Sequence, residues 1–258
     1  MNNSPLLTII TITYNAEQFL ERTLQSAQHA LNNITNREAV EYLIIDGKSK
    51  DNTLQIAERY PFISKIVSEP DRGLYDAMNK GLALARGKYV WFLNAGDEIF
   101  DPNVLKTLFS AFESDADVYY SDAMLVRENG DEVGLRSEFT PHSLPNDLKW
   151  QDFALGMKVC HQAFIAKRSI APTYDIDNLS ADIDWEIECL KKSGSPYYIK
   201  SPLCRYLIGG VSIQNHRRSL IDRFKVLHKH FGLIPSIFNH LRIFWRGVIF
   251  SRTHGKYW

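Results

Sequence analysis

The sequence predicts an α/β fold with a mostly parallel central sheet and helices on both of its faces. Strand-like and helix-like segments alternate along residues 6–93, as they do in repeated βα units. The strand-like segments are apolar throughout, which is typical of strands that are buried on both faces. Polar motifs follow several of these strands, and such sheets bind their ligands beyond the carboxyl ends of the strands.

The segments of this first part follow one another in a regular order. Residues 6–13 are apolar and β-branched, which predicts a strand, and residues 16–30 carry apolar side chains at helical intervals. The same two patterns recur twice and end in a fourth strand. These later segments are a strand at 41–45, a helix at 54–60, a strand at 63–68, a helix at 73–85 and a strand at 88–93.

The second half of the sequence is less regular. Short strands are expected at residues 117–121 and 132–135, and a helix is expected at residues 181–192. Ser180 precedes that helix as a plausible N-cap, and acidic residues occupy its first turn, where the helix dipole favours them.

Two domains are expected, a catalytic domain at residues 1–212 and a helical appendage at residues 213–258. Basic and aromatic residues alternate with apolar ones in the appendage. This pattern has two interpretations. The appendage either contacts an anionic membrane surface or packs its aromatic side chains on the first domain.

The composition is that of a globular protein of balanced charge. Hydrophobic residues make up 45% of the 258 residues, and 30 Lys and Arg balance 30 Asp and Glu, which argues against a general nucleic-acid binder. The dispersed Cys160, Cys189 and Cys204 suggest neither disulfides nor a zinc site. Because the sequence also shows no secretory signal and no spanning apolar segment, we expect a cytoplasmic protein, with peripheral membrane contact as the open alternative.

Four polar motifs follow the predicted strands, and their order and spacing make them informative. They are TYN at residues 13–15, DGKSKDNT at 46–53, EPDRGLYDAMNKGLALARG at 69–87 and FLNAGD at 92–97. In this order they resemble the motifs of the family 2 inverting glycosyltransferases of the GT-A fold, particularly the colanic-acid type of the bacterial capsule and exopolysaccharide branch.

The resemblance implies an enzyme that moves a sugar from a nucleoside diphosphate donor to a hydroxyl, with inversion and commonly with Mn²⁺ or Mg²⁺. A UDP-hexose is the favoured donor. The expected acceptor is a polysaccharide or lipid-linked oligosaccharide, and residues 140–156 are a candidate acceptor loop. Two alternatives stay open. One is a nucleotidyltransferase, although its glycine-rich triphosphate signature is missing, and the other is a non-catalytic nucleotide-sugar-binding subunit.

The ends of the first two strands are expected to bind the donor nucleotide. A nucleotide base needs an aromatic or apolar wall and a polar group at its edge, which Tyr14 and Asp46 can supply. The resemblance assigns the base and ribose to these positions, and Thr13 and Asn15 belong to the same motif. Alternatively, Tyr14 is a half-buried aromatic residue and Asp46 caps its own loop.

Further donor contacts are expected from the third motif. Arg72 lies beside Gly73, which lets the backbone approach a ligand closely, so Arg72 can contact the base or diphosphate through charge-assisted hydrogen bonds. Asn79 follows on the next helix and is included in the predicted donor site.

Asp97 is the predicted metal-binding carboxylate, because Mg²⁺ or Mn²⁺ bridging a diphosphate needs only one or two protein carboxylates. The motif has Asn94 and Gly96 where the family often has acidic residues, so metal dependence stays open. Asn94 is expected to bind the donor ribose or a water on the metal.

An inverting transfer needs a base that deprotonates the acceptor hydroxyl. The segment SADIDW at residues 180–185 resembles the acidic motif that carries this base in the family. The resemblance assigns the base to Asp182, with Asp184 second. Because residues two apart on a helix point in different directions, the two are not expected to share one role.

Four residues are weaker candidates for the acceptor or diphosphate. His161 and Gln162 resemble an HQ pair that precedes the acidic motif in this branch, although a structural role is an equal alternative for His161. His216 and Arg217 are expected to bring positive charge to the leaving diphosphate.

Overall fold

The computed structural model describes residues 4–209 and 216–254, and it shows an α/β architecture. The strands of these residues are β1 (Leu7–Thr13), β2 (Val40–Asp46), β3 (Lys65–Ser68), β4 (Tyr89–Phe92), β5 (Glu98–Ile99), β6 (Val118–Tyr120), β7 (Ala123–Val126), β8 (Glu132–Leu135), β9 (Phe164–Lys167), β10 (Pro196–Tyr198) and β11 (Cys204–Leu207). The helices are α1 (Leu20–Asn32), α2 (Thr53–Glu58), α3 (Leu74–Leu84), α4 (Val104–Phe112), α5 (Arg136–Phe139), α6 (Ala181–Lys192), α7 (His216–Phe231) and α8 (Leu233–His254).

The central sheet has seven strands in the order β10-β6-β9-β4-β1-β2-β3. The pairs β1–β2, β1–β4, β2–β3 and β6–β10 are parallel, whereas β9 runs antiparallel between β4 and β6. A second, smaller sheet has four strands in the order β5-β11-β7-β8. The predicted mostly parallel sheet with helices on both faces is therefore confirmed.

The predicted strands and helices of the first part all form, with shifted ends. The first helix begins at Leu20 instead of residue 16, because residues 16–19 make a turn in which the Ala16 carbonyl accepts the amides of Phe19 and Leu20 at 3.0 and 2.9 Å. Ser180 is the N-cap residue of α6, as predicted, but its side chain makes no capping bond, since its Oγ donates to the Ser219 carbonyl at 3.3 Å.

Helix α3, which lies within the third motif, packs closely on the sheet. A Cβ added at Gly81 would lie 2.6 Å from Ile10 Cγ2 and 3.2 Å from Ile45 Cγ1, so only glycine allows this approach. Strands β1 and β2 are buried at every position, as their uninterrupted apolar runs predict.

The appendage predicted at residues 213–258 is helical in its described part. Helix α7 packs on α6, and α8 packs on α7 and on the turn at Trp150–Leu155. The predicted boundary at residues 212 and 213 lies outside the described residues. Of the helices in residues 4–209 and 216–254, none has the length and apolar content needed to cross a membrane.

Candidate active site

The Asp46 carboxylate joins the carboxyl ends of β1, β2 and β3. Its Oδ1 accepts hydrogen bonds from Thr13 Oγ1 at 3.0 Å and Ser49 Oγ at 2.5 Å, and its Oδ2 accepts from the Ser49 amide at 2.9 Å and Ser68 Oγ at 2.6 Å. Asp46 is 0% exposed, so no surface is left for a ligand. The predicted nucleotide contacts of Asp46 and of the Thr13 side chain are therefore wrong, because these groups hold the strand ends together.

Tyr14 presents its ring to solvent directly after β1, with 65% of the residue exposed. A Cβ added at Gly47 would lie 3.3 Å from Tyr14 Cδ2 and 2.4 Å from Asp71 Oδ2, so glycine is needed where these side chains approach the loop. Asn15 has a φ of 47°, and its Oδ1 accepts the Lys50 amide at 2.9 Å. Tyr14 is thus available as a wall for a planar base, whereas the Asn15 side chain shapes the loop.

The two donor candidates of the third motif have different surroundings. Arg72 is exposed, and the Asp76 carboxylate accepts its amide at 3.0 Å and its Nη2 at 3.2 Å. The Asn79 amide group donates to the Tyr174 carbonyl at 2.9 Å and accepts the Tyr174 amide at 2.7 Å. The donor contact predicted for Asn79 is wrong, because both of its polar atoms tie α3 to the segment before α6. Arg72 keeps its predicted role.

Asp97 and Asn94 follow β4 at the same edge of the sheet. Asp97 is 4% exposed and its Oδ1 accepts the Leu207 amide at 2.8 Å. Burial raises the pKa of Asp97 well above its ordinary value, although that hydrogen bond opposes the rise. The Asn94 Oδ1 is buried without a hydrogen-bond partner. Because an unpaired buried oxygen is costly, it marks a place where a cation or a hydrogen-bond donor can bind.

Asp182 lies partly buried in the first turn of α6. Burial raises the pKa of its carboxyl group, whereas the Ile183 amide, the Tyr75 hydroxyl and the charge of Arg223 oppose this rise. A carboxylate with a raised pKa is a stronger base than an ordinary surface aspartate. The structure therefore gives Asp182 the electrostatic surroundings that a general base requires.

The Tyr206 phenol connects the two carboxylates electrostatically. Burial raises the pKa of Tyr206, and the charges of Asp97 and Asp182 both add to the rise. Asp97 and Asp182 therefore both lie within electrostatic range of the Tyr206 phenol. Sequence patterns did not single out Tyr206 or Tyr75, because an aromatic residue in a short strand or a helix is usually a core residue.

Asp184 lies in a contact between α6 and α7. Lys229 Nζ donates to both of its carboxylate oxygens at 2.8 Å, and His230 Nε2 lies 2.5 Å from its Oδ1. The second choice of base is therefore wrong, because α7 occupies this carboxylate. Asp184, Glu188 and His230 form the one group of three potential metal ligands within residues 4–209 and 216–254, and Lys229 already balances its charge.

His161 is buried among aromatic residues. Its Nδ1 lies 3.3 Å from Glu186 Oε1 and its Nε2 lies 3.0 Å from the Tyr174 hydroxyl. Burial lowers the pKa of His161 to about 3 and raises the pKa of Glu186 well above its usual range, so burial favours the neutral form of both groups. These contacts support the structural alternative for His161, and its contact with the acceptor or diphosphate stays a prediction.

The roles of the other three weaker candidates stay predictions. Gln162 is 6% exposed, and its Oε1 accepts a hydrogen bond from Cys160 Sγ at 3.2 Å. Arg217 is exposed in the first turn of α7. His216 begins α7, but its side chain lies outside the described residues.

The neutral Glu186 makes the stability of the protein depend on pH. Because its pKa is raised in the folded state, Glu186 lowers the free energy of unfolding as pH rises above its unfolded value of 4.5. We expect Glu186→Gln, which keeps the shape, to be more stable than wild type at pH 8 and about equal near pH 4. Thermal unfolding measures this, with roughly 2–4 °C in Tm for each kcal/mol.

The buried neighbour of Glu186 provides the control. His161 has a lowered folded pKa, so its own contribution falls as pH drops below 6.5, in the opposite direction. That contribution is present in both proteins and cancels in the difference. An advantage of Glu186→Gln that is independent of pH would contradict a neutral Glu186.

Comparison with known proteins identifies the class to which this fold and site belong. Residues 8–173 match the family described as Glycosyl transferase family 2. The chain belongs to this family and is a glycosyltransferase. An uncharacterized glycosyltransferase of Mycobacterium tuberculosis is 27% identical over 272 residues, which cover 100% of this chain and 97% of the relative.

Two solved structures share the fold. TarS of S. aureus in complex with UDP-GlcNAc matches with a TM-score of 0.69 and 19% identity, over 96% of this chain and 74% of that chain. A mannosyltransferase from Pyrobaculum calidifontis in complex with GDP-Man and Mn²⁺ matches with a TM-score of 0.66 and 15% identity, over 97% of this chain and 74% of that chain. These matches confirm the GT-A-like fold, and the capsule and exopolysaccharide branch stays a prediction.

Proposed function

We propose that this glycosyltransferase moves a sugar, with inversion, from a nucleoside diphosphate donor to an acceptor hydroxyl. The observation that carries the proposal is the turn after β4, where the Asp97 amide donates to the Asn94 carbonyl at 3.0 Å, the Asp97 carboxylate is buried, and the buried Asn94 Oδ1 has no hydrogen-bond partner. UDP-GlcNAc in TarS and GDP-Man in the Pyrobaculum enzyme support a nucleotide-sugar donor. A UDP-hexose is favoured, and the acceptor is a capsular or other polysaccharide or a lipid-linked oligosaccharide.

Asp182 acts as the base in this proposal. Its carboxylate takes the proton of the acceptor hydroxyl while that oxygen attacks the anomeric carbon, on the side opposite the departing diphosphate. The raised pKa makes this transfer more favourable, and the Ile183 amide, which donates to Asp182 Oδ1 at 2.9 Å, orients the carboxylate. One displacement without a covalent intermediate inverts the anomeric configuration.

Asp97 and Asn94 fit a divalent cation. They offer one carboxylate and one amide oxygen, and the buried Asn94 Oδ1 has no other partner. Hard oxygen ligands of this kind suit Mg²⁺ or Mn²⁺, which keeps other positions for water and phosphate. When bound, the cation would neutralise negative charge on the leaving diphosphate. Mn²⁺ in the Pyrobaculum enzyme supports this choice.

Donor binding can be measured by the thermal stability of the protein. We expect UDP with Mn²⁺ to stabilise the folded state, by about 2.7 kcal/mol at 100 times the Kd, since ligands of the native state stabilise by mass action. A chelator and Asp97→Asn should each remove the metal-dependent part. Asp147→Asn, an exposed carboxylate, should behave as wild type. No response to UDP, GDP, CMP or dTDP would contradict the proposal.

We also propose that α8 lies on an anionic membrane surface, where a lipid-linked acceptor would be. Residues 216–254 contain eight Lys and Arg residues but only one acidic residue, Asp222. This charge suits anionic lipid headgroups. Large apolar side chains spaced three or four residues apart form one exposed face of α8, the α8 apolar face. Its residues are Ile234, Ile237, Phe238, Leu241, Phe244 and Trp245.

Vesicle binding tests the α8 apolar face. We expect wild-type protein to sediment with vesicles that contain phosphatidylglycerol. Phe238 and Trp245 are 62% and 61% exposed, and Phe238→Glu with Trp245→Glu should lower the partition coefficient at least about tenfold by removing apolar burial. Asn36→Glu adds negative charge at an exposed site between α1 and β2 and should have little effect. Equal binding of all three proteins would contradict membrane contact through this face.

A further inference from the structure

Four basic side chains from different segments converge beside Asp182, around His142. They are Arg136 of α5, Lys158, Arg223 of α7 and Arg246 of α8, and with burial they keep the pKa of His142 well below its usual range. We name these four the basic cluster. Arg136 precedes the candidate acceptor loop, Lys158 follows it, and Arg223 and Arg246 belong to the two helices of the appendage.

Direct contacts establish the basic cluster independently of charge. Arg246 Nη2 lies 3.3 Å from His142 Nδ1 and donates to the Leu155 carbonyl at 3.1 Å. A Cβ added at Gly156 would lie 3.8 Å from Arg223 Cδ and 3.9 Å from His142 Cε1. These contacts bring α7 and α8 against one short stretch of loop.

Arg136 joins the same stretch from the other side. Its Nη1 and Nη2 donate to the carbonyl groups of Lys158 and Met157, both at 3.0 Å. Two main-chain carbonyl groups orient this guanidinium, but they carry no negative charge to balance it.

Nothing in the described part of the chain neutralises the basic cluster at close range. No carboxylate of residues 4–209 and 216–254 lies within 4.0 Å of a charged nitrogen of the four side chains. The Nε atoms of Arg223 and Arg246 are buried and have no hydrogen-bond partner. Burying like charges and unpaired donors is costly unless an anion completes the site.

The position of the basic cluster identifies the anion. Arg223 lies within electrostatic range of the Asp182 carboxylate, and the acceptor hydroxyl must reach that carboxylate if Asp182 is the base. Guanidinium groups bind phosphate oxygens with paired hydrogen bonds. We propose, on the basis of the function proposed above, that the basic cluster binds a phosphate group of the acceptor substrate.

This site selects acceptors that carry a phosphate at a fixed distance from the reacting hydroxyl. The phosphate belongs either to a soluble phosphorylated sugar or to the link between a glycan and a lipid. The position of Arg246 suits a phosphate that links a glycan to a lipid, because α8 places Arg246 in the basic cluster while the α8 apolar face is exposed. Both sources present the same phosphate group to the basic cluster, but only the second requires a lipid surface.

Phosphate binding is testable without a known acceptor. Calorimetry with inorganic phosphate and with inorganic pyrophosphate as probes should detect binding to wild-type protein. Arg223→Gln should weaken it at least about tenfold, or 1.4 kcal/mol. Arg223→Lys keeps the charge without the paired donors and should be intermediate. Arg218→Gln removes an exposed charge from the same helix and should bind as wild type.

UDP with Mn²⁺ serves as the internal reference for folding and for donor binding. Arg223→Gln should retain UDP binding while it loses phosphate binding, and this result supports an acceptor-side site. Loss of both ligands in a folded variant would assign the basic cluster to the donor and overturn the proposal. Phosphate binding that is equal in wild type and Arg223→Gln, or absent from wild type, would also overturn it.

The two proposals fail in distinguishable ways. Absence of UDP binding with intact phosphate binding would contradict the proposed donor, whereas UDP binding without phosphate binding would contradict the acceptor site. Phosphatidylcholine vesicles with and without dodecyl phosphate distinguish the source. Where Arg223→Gln has lost phosphate binding, weaker binding of this variant to the doped but not to the undoped vesicles supports a lipid phosphate. Equal binding of wild type and Arg223→Gln to the doped vesicles supports a soluble phosphorylated acceptor.

Discussion

Asp182→Asn should lower sugar transfer by a factor of about 10²–10⁴, the usual contribution of a general base. The substitution removes the proton acceptor but keeps the size of the side chain and the oxygen that accepts the Ile183 amide at 2.9 Å. The fold and UDP binding should therefore be unchanged. The measurement is the rate of nucleoside diphosphate release by purified protein in the presence of an acceptor-containing membrane extract.

Asp184→Asn is the matched control, because it makes the same change two residues away on the same helix. Asp184 contacts Lys229 and His230 of α7, so its loss should lower stability by about 1 kcal/mol and leave transfer within a few-fold of wild type. If Asp184→Asn were inactive and Asp182→Asn active, the assignment of the base would be reversed.

Asp46→Ala should produce the largest loss of stability among the residues of the site. It leaves Thr13 Oγ1, Ser68 Oγ and two groups of Ser49 without their acceptor at a position that is 0% exposed. Thr13 is buried, Ser49 is half-buried and Ser68 is exposed. A buried donor left unpaired costs about 1–3 kcal/mol and a donor that water reaches costs less, so we expect a loss of about 2–4 kcal/mol in the free energy of unfolding. Urea unfolding measures this loss.

Two further variants separate this structural role from a nucleotide contact. Asp46→Asn keeps one acceptor oxygen and should lose less stability than Asp46→Ala. Asp147→Ala removes an exposed carboxylate and should change stability by no more than about 0.5 kcal/mol. Wild-type stability of Asp46→Ala together with loss of UDP binding would restore the nucleotide contact that the sequence motif suggested.

The regular part of the fold was predictable because long apolar strands and amphipathic helices have clear periods. Strand β9 was not predicted, since four apolar residues do not reveal their direction, and its antiparallel place between β4 and β6 depends on distant pairing. The small sheet was largely missed for the same reason. Its strand β5 has only two residues, and β11 pairs with β5 and β7 from far along the chain.

The site was predictable in its strand-end motifs but not in the role of each side chain. The motif order singled out Asp97 and Asp182 as candidates, and both lie within electrostatic range of Tyr206. Sequence spacing does not show which way a polar side chain points. Asp46 and Asn79 point inward and are fully hydrogen-bonded, so they stabilise the site without contacting the donor.

The basic cluster could not be read from the sequence, because its members are separated by up to 110 residues, from Arg136 to Arg246. Each one alone resembles a solvated surface charge or a helix residue. Only the packing of α7 and α8 on the loop between Trp150 and Lys158 brings them together. The appendage is therefore part of the proposed acceptor site, in addition to its proposed contact with the membrane.

The anomeric configuration of the product tests the central claim most directly. Proton NMR can follow the anomeric signal while the purified enzyme turns over a UDP-hexose of α configuration with the acceptor-containing extract. We predict that wild type releases UDP and forms a β-linked product, and that Asp182→Asn does neither at a comparable rate. An α-linked product, or equal turnover by wild type and Asp182→Asn, would contradict an inverting transfer in which Asp182 is the base.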